Sequence, residues 1–195
     1  IPFNEREAPQ GSRFRYAGVE PALLSAVLKK ATGEDVAKYL EPRLWQAMGA
    51  EGYAGWQQDS TGLNLTYCCL TARPRDYLRL GIVLANDGKR PDTGTQVIPR
   101  EFLLESTDWH RVDEPFRPKN TGLGSGYNNG FWLMSSEARR FALVGIHGQF
   151  IFVDPANNLV MVHLGAAGNA LLNDTTMAKE RGALWYGVVQ HYGKW

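Results

Sequence analysis

The sequence predicts an α+β fold: helices first, an antiparallel meander next, and a helix last. Three observations carry this prediction. Apolar side chains recur at helical spacing from Leu23 to Trp45 and again over residues 72–106, the period shortens to that of strands from Gly130, and it returns to helical after Asn173-Asp174.

Pro21 suits a first helical turn, where its missing N–H has no intrahelical partner. Leu23, Leu24, Val27, Leu28 and Ala31 then form one inward side until Gly33 stops the helix. A second helix starts at Glu34-Asp35, whose acids suit the positive end of the helix dipole, and it turns Val36, Tyr39, Leu40, Leu44 and Trp45 inward before Gly49. Pro42 kinks or splits it, because proline removes a donor from the helical ladder. Residues 72–84 repeat apolar side chains at Tyr77, Leu78, Leu80, Ile82 and Val83 and end near Asn86-Asp87-Gly88, while 99–106 predicts a short helix. Residues 111–129, rich in proline, glycine and asparagine, read as a long surface loop. Strands are expected over 131–134, 140–146, 150–154 and 159–164. Asn173-Asp174 caps a final helix whose apolar side is Met177, Leu184, Trp185, Val188 and Val189. The expected organisation is one partial domain, with a mainly helical lobe and loops over 1–125 and strands plus terminal helix over 126–195.

Composition narrows the function classes. Hydrophobic residues make up 44% of the chain, and the formal net charge is +1 with the two signs interspersed. That gives no basic stripe, so nucleic acid is not an expected partner. No apolar run approaches the roughly 20 residues needed to span a bilayer. The two cysteines, Cys68 and Cys69, are neighbours. Adjacent cysteines rarely satisfy disulfide geometry, so they read as small buried packing residues. No H-x-x-x-H or C-x-x-C spacing exists, and neither a metal nor another cofactor is expected.

Four stretches carry chemistry. Residues 9–18 read P-Q-G-S-R-F-R-Y-A-G and precede the helix ending Ala31-Thr32-Gly33; residues 68–81 read C-C-L-T-A-R-P-R-D-Y-L-R-L-G. Residues 126–133 read G-Y-N-N-G-F-W-L, and 141–155 read F-A-L-V-G-I-H-G-Q-F-I-F-V-D-P, followed by Leu159-Val160-Met161-Val162. In this order they resemble serine β-lactamase-like hydrolases, the superfamily of class C β-lactamases, penicillin-recognising peptidases, carboxylesterases and 6-aminohexanoate-dimer hydrolases. The G-I-H-G-Q form is most similar to the 6-aminohexanoate-dimer hydrolase and esterase-like branch. The resemblance implies a β-lactamase/transpeptidase-like fold: a helical lobe beside an antiparallel sheet with a C-terminal helix, and a catalytic groove between them. The N-terminal strands and helix of that fold would be missing, leaving an exposed sheet edge.

The superfamily's nucleophile lies in an S-x-x-K motif, where the lysine lowers the cost of forming an alkoxide. None of Ser12, Ser25, Ser60, Ser106, Ser125, Ser135 or Ser136 has a lysine three residues on. Thr176 stands at that spacing from Lys179, but it is a threonine in the terminal helix and reads as coincidence. Three explanations follow: a longer polypeptide supplies the serine upstream, a second chain supplies it, or the chain is a nucleophile-free relative. Ile1-Pro2-Phe3-Asn4 offers neither an initiator methionine nor a signal peptide, which favours the first. The chain alone is expected to be inactive, and its compartment, periplasmic or cytoplasmic, stays open.

The resemblance implies that Tyr16 is the tyrosine delivered to the nucleophile as general base or proton relay. Without the flanking match, it would read as a packing tyrosine with its hydroxyl in water. Gly145, Gly148 and Gln149 are the expected substrate-binding residues. If Gly145 matches the superfamily's glycine, the backbone N–H of Ile146 is an oxyanion donor; if His147-Gly148 matches, the donor is Gln149. Ile146 is favoured because it leaves a tight turn at His147-Gly148-Gln149. His147 is a candidate hydrogen-bond donor or proton carrier, with satisfaction by backbone carbonyls as the equal alternative. His163 reads as structural, and His110 and His191 as surface residues. No lysine stands where the β-lactam-recognising members carry K-T-G, and Gly18 replaces the asparagine that binds an acyl amide in class C enzymes, which turns the reading from antibiotics toward esters and linear amides. Tyr127, Trp132, Trp109 and Trp56 either line the groove or belong to the core. The predicted function is the C-terminal part of a serine hydrolase acting on a small-molecule ester or linear amide through an acyl-enzyme. The alternatives are an inactive relative that binds peptides or a protein partner, and a β-lactam-binding D-alanyl peptidase or β-lactamase.

Overall fold

The computed structural model describes residues 5–120, 125–169 and 175–193, with backbone alone over 175–178. Helix α1 (Val19–Thr32) leads through Gly33, whose φ of 77° a side chain would resist, to α2 (Val36–Leu40). The chain then runs into a π-helical turn, Glu41–Trp45, with Pro42 at its start. Proline cannot donate to the regular ladder, so the predicted split falls where Pro42 stands. Two short strands that sequence periodicity missed follow, β1 (Gly55–Trp56) paired antiparallel with β2 (Leu70–Thr71). Two residues are too few to show a period of two.

Helix α3 (Pro74–Ala85) and helix α4 (Arg100–Thr107) lie where their apolar spacing predicted. A five-stranded antiparallel meander follows in the order β3 (Gly126–Asn128), β4 (Phe131–Leu133), β5 (Phe141–Gly145), β6 (Gln149–Asp154) and β7 (Leu159–His163). The predicted loop over 111–129 therefore ends in a strand. Asn129-Gly130, both at positive φ (46° and 88°), turns β3 into β4, as an Asn-Gly pair does because neither residue resists left-handed backbone. Helix α5 (Thr175–Tyr192) closes the described chain; the expected Asn173-Asp174 cap and the Met177 side chain lie outside the described residues.

Strand alternation sorts side chains into two cores. Phe141, Ile151 and Val153 face α3 and α4, packing with Leu84, Ala85 and Leu103. Ala142, Phe150 and Phe152 face α5, packing with Trp185 and Val189. Gly81 makes the first layer close-packed: a Cβ there would come within 2.4 Å of Val160 Cγ1 and 3.1 Å of Ile151 Cγ2, so only glycine lets α3 lie this near β6 and β7.

Three expectations are corrected, the first being Leu184, which was expected on the apolar side of α5 but is 54% exposed. Leu23, Leu24 and Val27 do not face inward; they are 60%, 69% and 64% exposed, and Ser25 is the buried side chain of α1. The periodicity was real, but no described element packs on that stripe. Cys68 and Cys69 are not buried thiols: they are disulfide-bonded to each other, with Cys69 exposed and at φ 71°.

Candidate functional site

Tyr16 arrives on irregular backbone just before α1. Phe14 anchors that segment, its ring 5.4 Å from Tyr127 and 6.4 Å from Phe116. The Tyr16 ring stands edge-on to Tyr127 at 5.4 Å and tilted against Trp132 at 5.5 Å. Tyr127 and Trp132 are partners across β3 and β4, so both project from one face, with ring centroids 4.9 Å apart. Edge-to-face pairs of this kind add roughly 0.5–1.5 kcal/mol each beyond area burial. The sheet therefore holds Tyr16 by its ring while leaving the residue 56% exposed. Its hydroxyl has no hydrogen-bond partner among the described residues. Tyr127 is the contrasting phenol: burial first, then the charges of Tyr16 and Glu20, push its pKa up to about 12. Of the two edge-to-face tyrosines, the one open to solvent is Tyr16. Trp132 also lines a pocket of about 230 Å³ with Met134, Ala142, Val144, Phe150 and Phe152 on the α5 side of the sheet.

The second candidate region is the end of β5. Gly145 is exposed and pairs with Gln149 across the hairpin, and Ile146 is 54% exposed. Between them, Ile146–Gly148 form a tight turn with His147 at φ 58° and Gly148 at φ 90°. His147 Nδ1 lies 2.7 Å from the carbonyl oxygen of Ala167, and His163 Nδ1 lies 2.7 Å from that of Gly148. A carbonyl only accepts, so each Nδ1 carries the proton, and in the neutral ring Nε2 keeps its lone pair. His147 thus has one nitrogen satisfied by backbone and the other left for chemistry. Both ends of the Gln149 amide are taken by Gly165: Nε2 donates to its carbonyl at 2.6 Å, and its N–H donates to Oε1 at 3.3 Å. What Gln149 offers a substrate is its backbone rather than its side chain.

Tyr16 packs against β3 and β4, whereas the 145–149 turn joins β5 to β6, and no direct contact links the two among the described residues; Trp132, against Tyr16, pairs with Ala142 three residues before Gly145. Trp56 and Trp109 are committed elsewhere, Trp56 Nε1 donating to the carbonyls of Leu65 and Cys68 and Trp109 Nε1 to that of Ser136. His110 stacks on Trp109 and is exposed, as is His191. Sequence reading named Tyr127 only as a groove or core residue and missed that it holds the Tyr16 ring, although its placement opposite Trp132 across an Asn-Gly turn was a signal for it. Among the described residues, no group of three or more His, Cys, Asp or Glu could hold a metal ion, and no helix is long and apolar enough to cross a membrane.

No profile of a known protein family matches the chain. It is 25% identical over 158 residues to the 6-aminohexanoate-dimer hydrolase of Paenarthrobacter ureafaciens, covering 78% of this chain and 39% of that protein. A solved structure from Bacillus anthracis, assigned as a 6-aminohexanoate-dimer hydrolase, superposes with a TM-score of 0.82 at 25% identity, covering 96% of this chain and 46% of that one. A second, from Bacteroides dorei and assigned as a β-lactamase, superposes with a TM-score of 0.62 at 16% identity, covering 83% of this chain and 52% of the other, a likeness of fold alone. The chain spans about half the length of these relatives or less.

Proposed function

We propose that this chain, related by sequence and fold to the serine β-lactamase-like superfamily, is the C-terminal portion of a serine hydrolase that cleaves an ester or linear amide through an acyl-enzyme. The observation that supports this best is the ring-held, solvent-open Tyr16, set in a fold that superposes at a TM-score of 0.82 on a chain about twice as long.

In this reading an upstream serine attacks the carbonyl carbon. Its proton passes through the adjacent lysine and the Tyr16 oxygen to the departing alkoxide or amine, so the leaving group departs neutral. The tetrahedral oxyanion is held by two backbone N–H groups, that of the serine and that of Ile146 at the open end of β5. Water then attacks the acyl-serine carbonyl while Tyr16 carries its proton back to the serine oxygen. The substrate is a small molecule, and the absence of a lysine over 145–149 disfavours recognition of a β-lactam carboxylate.

The intact mass of the full gene product before and after a fluorophosphonate probe tests the reading. One covalent adduct on a serine upstream of Ile1, with none on the 195-residue chain, is the expected result. A full-length product that takes no adduct would overturn the hydrolase and leave a nucleophile-free binding protein.

A further inference from the structure

We infer that Gln149 is a positioning residue: its side-chain amide, with the Nδ1 groups of His147 and His163, clasps the Ile146–Gly148 turn to the chain leaving β7 and so fixes the backbone N–H that receives the oxyanion. The inference rests on the hydrolase reading above and adds to it the group that holds the site still.

A three-residue turn with a non-glycine residue at φ 58° has little local reason to stay rigid. Here six hydrogen bonds secure it, one of them within the turn itself, from Gln149 Nε2 to His147 O at 3.4 Å. Gln149 Nε2 donates to Gly165 O at 2.6 Å, and Gly165 N–H donates to Gln149 Oε1 at 3.3 Å. His163 Nδ1 donates to Gly148 O at 2.7 Å, His147 Nδ1 donates to Ala167 O at 2.7 Å, and Ala167 N–H donates to His147 O at 3.1 Å. The carbonyls of His147 and Gly148 are therefore both occupied. Because a peptide unit is planar, fixing a carbonyl fixes the N–H on its far side. Two consecutive peptide planes are held, 147–148 and 148–149, and they carry the N–H groups of Gly148 and Gln149.

Two glycines make the clasp possible. A Cβ on Gly165 would come within 3.0 Å of His147 O and 3.2 Å of Gly148 O, and one on Gly145 within 3.0 Å of Gln149 Cβ. Side chains at either place would push the turn away from its anchor. The locked planes carry the Gln149 N–H directly; the Ile146 N–H lies in the Gly145–Ile146 plane and is held through the pairing of Gly145 with Gln149.

The test substitutes Gln149→Met, which keeps the length and removes both amide groups, beside Gln149→Glu, which keeps an acceptor for Gly165 N–H. The first readout is amide hydrogen exchange in the 195-residue chain. At least tenfold faster exchange at residues 146–149 in Gln149→Met, with unchanged exchange at Phe152 and Met161 showing that the sheet is intact, is expected; unchanged exchange at the turn overturns the clasp. The second readout is steady-state ester hydrolysis by the full-length product. A kcat lower by about 10- to 100-fold with KM within threefold, and a smaller loss in Gln149→Glu, is expected, because an oxyanion donor displaced by about 1 Å loses most of its effect. A looser turn with unchanged kcat overturns the positioning role. A wild-type product that takes no fluorophosphonate overturns the hydrolase reading and the positioning role with it, while the exchange result still decides whether Gln149 holds the turn.

Discussion

Tyr16 and Trp132 lie with ring centroids 5.5 Å apart and planes inclined by 39°, joining the irregular segment before α1 to strand β4. The contact uses the faces and edges of the rings and leaves the phenolic oxygen unengaged. Structure and chemistry are therefore separable at this residue.

Tyr16→Phe keeps the rings and removes the oxygen. In the 195-residue chain its effect on unfolding free energy should stay within about 0.5 kcal/mol, as for other surface substitutions. In the full-length product kcat for ester hydrolysis should fall about 10²- to 10⁴-fold, the usual contribution of a positioned proton-transfer group. Full activity in Tyr16→Phe would remove Tyr16 from the mechanism.

The edge-on neighbour, Tyr127, makes a prediction in pH. Burial holds the Tyr127 phenol up at about 12 against an ordinary value of 10.0. The folded state thus binds this proton more tightly than the unfolded state. Its stabilisation is fully present below pH 10 and is lost as pH rises through about 12. An absorbance titration should show a phenol ionising near pH 12 that disappears in Tyr127→Phe, and the alkaline loss of stability should be shallower in that variant. A phenolate step confined to pH 10 in both proteins would contradict it.

Arg140 and Asp154 form an ion pair at 2.7 Å with both side chains wholly buried. Asp154 also accepts from Asn157, through the backbone N–H at 3.3 Å and through Nδ2 at 2.8 Å, tying the β6–β7 turn to the strand before it. Removing one partner leaves a buried charge uncompensated, which costs more than the pair contributes. Arg140→Met should destabilise the chain by about 3–5 kcal/mol in urea unfolding, whereas the double variant Arg140→Met, Asp154→Leu should recover much of that. A double variant as unstable as the single would show that the cost lies in packing.

Much of this was legible in the sequence, and the reasons are physical. The helices α3 and α4 and the strands β5, β6 and β7 each bury one side against a described partner, so their apolar period and their burial agree. Pro42 marked the helix break because a missing donor acts locally. The short strands β1 and β2 were illegible because two residues show no period, while periodicity read β3 as loop because it lies among turn residues, and only the resemblance of 126–133 pointed to a strand there. The Gln149 clasp was illegible because it joins residues 149 and 165 through an amide that one sequence cannot distinguish from any other polar side chain. The Cys68–Cys69 bond ran against the general rarity of disulfides between neighbours.

Helix α1 shows the opposite case, a sequence signal with no counterpart among the described residues. Leu23, Leu24 and Val27 recur at helical spacing yet stay 60%, 69% and 64% exposed, while relatives that share the fold are about twice as long. An apolar stripe of this kind on a well-formed helix is explained if upstream sequence packs on it. Replacing Leu23, Leu24 and Val27 together by serine removes little buried area from the 195-residue chain, so unfolding free energy should change only by the small difference in helix propensity, about 0.5 kcal/mol or less per site. In the full-length product the same replacement should cost about 1.5–3 kcal/mol for each side chain that upstream sequence buries. Urea unfolding of both forms, with and without the triple replacement, measures the difference directly. Equal small effects in both would mean that the stripe faces solvent in the longer protein too, and that the helical lobe is completed from another side.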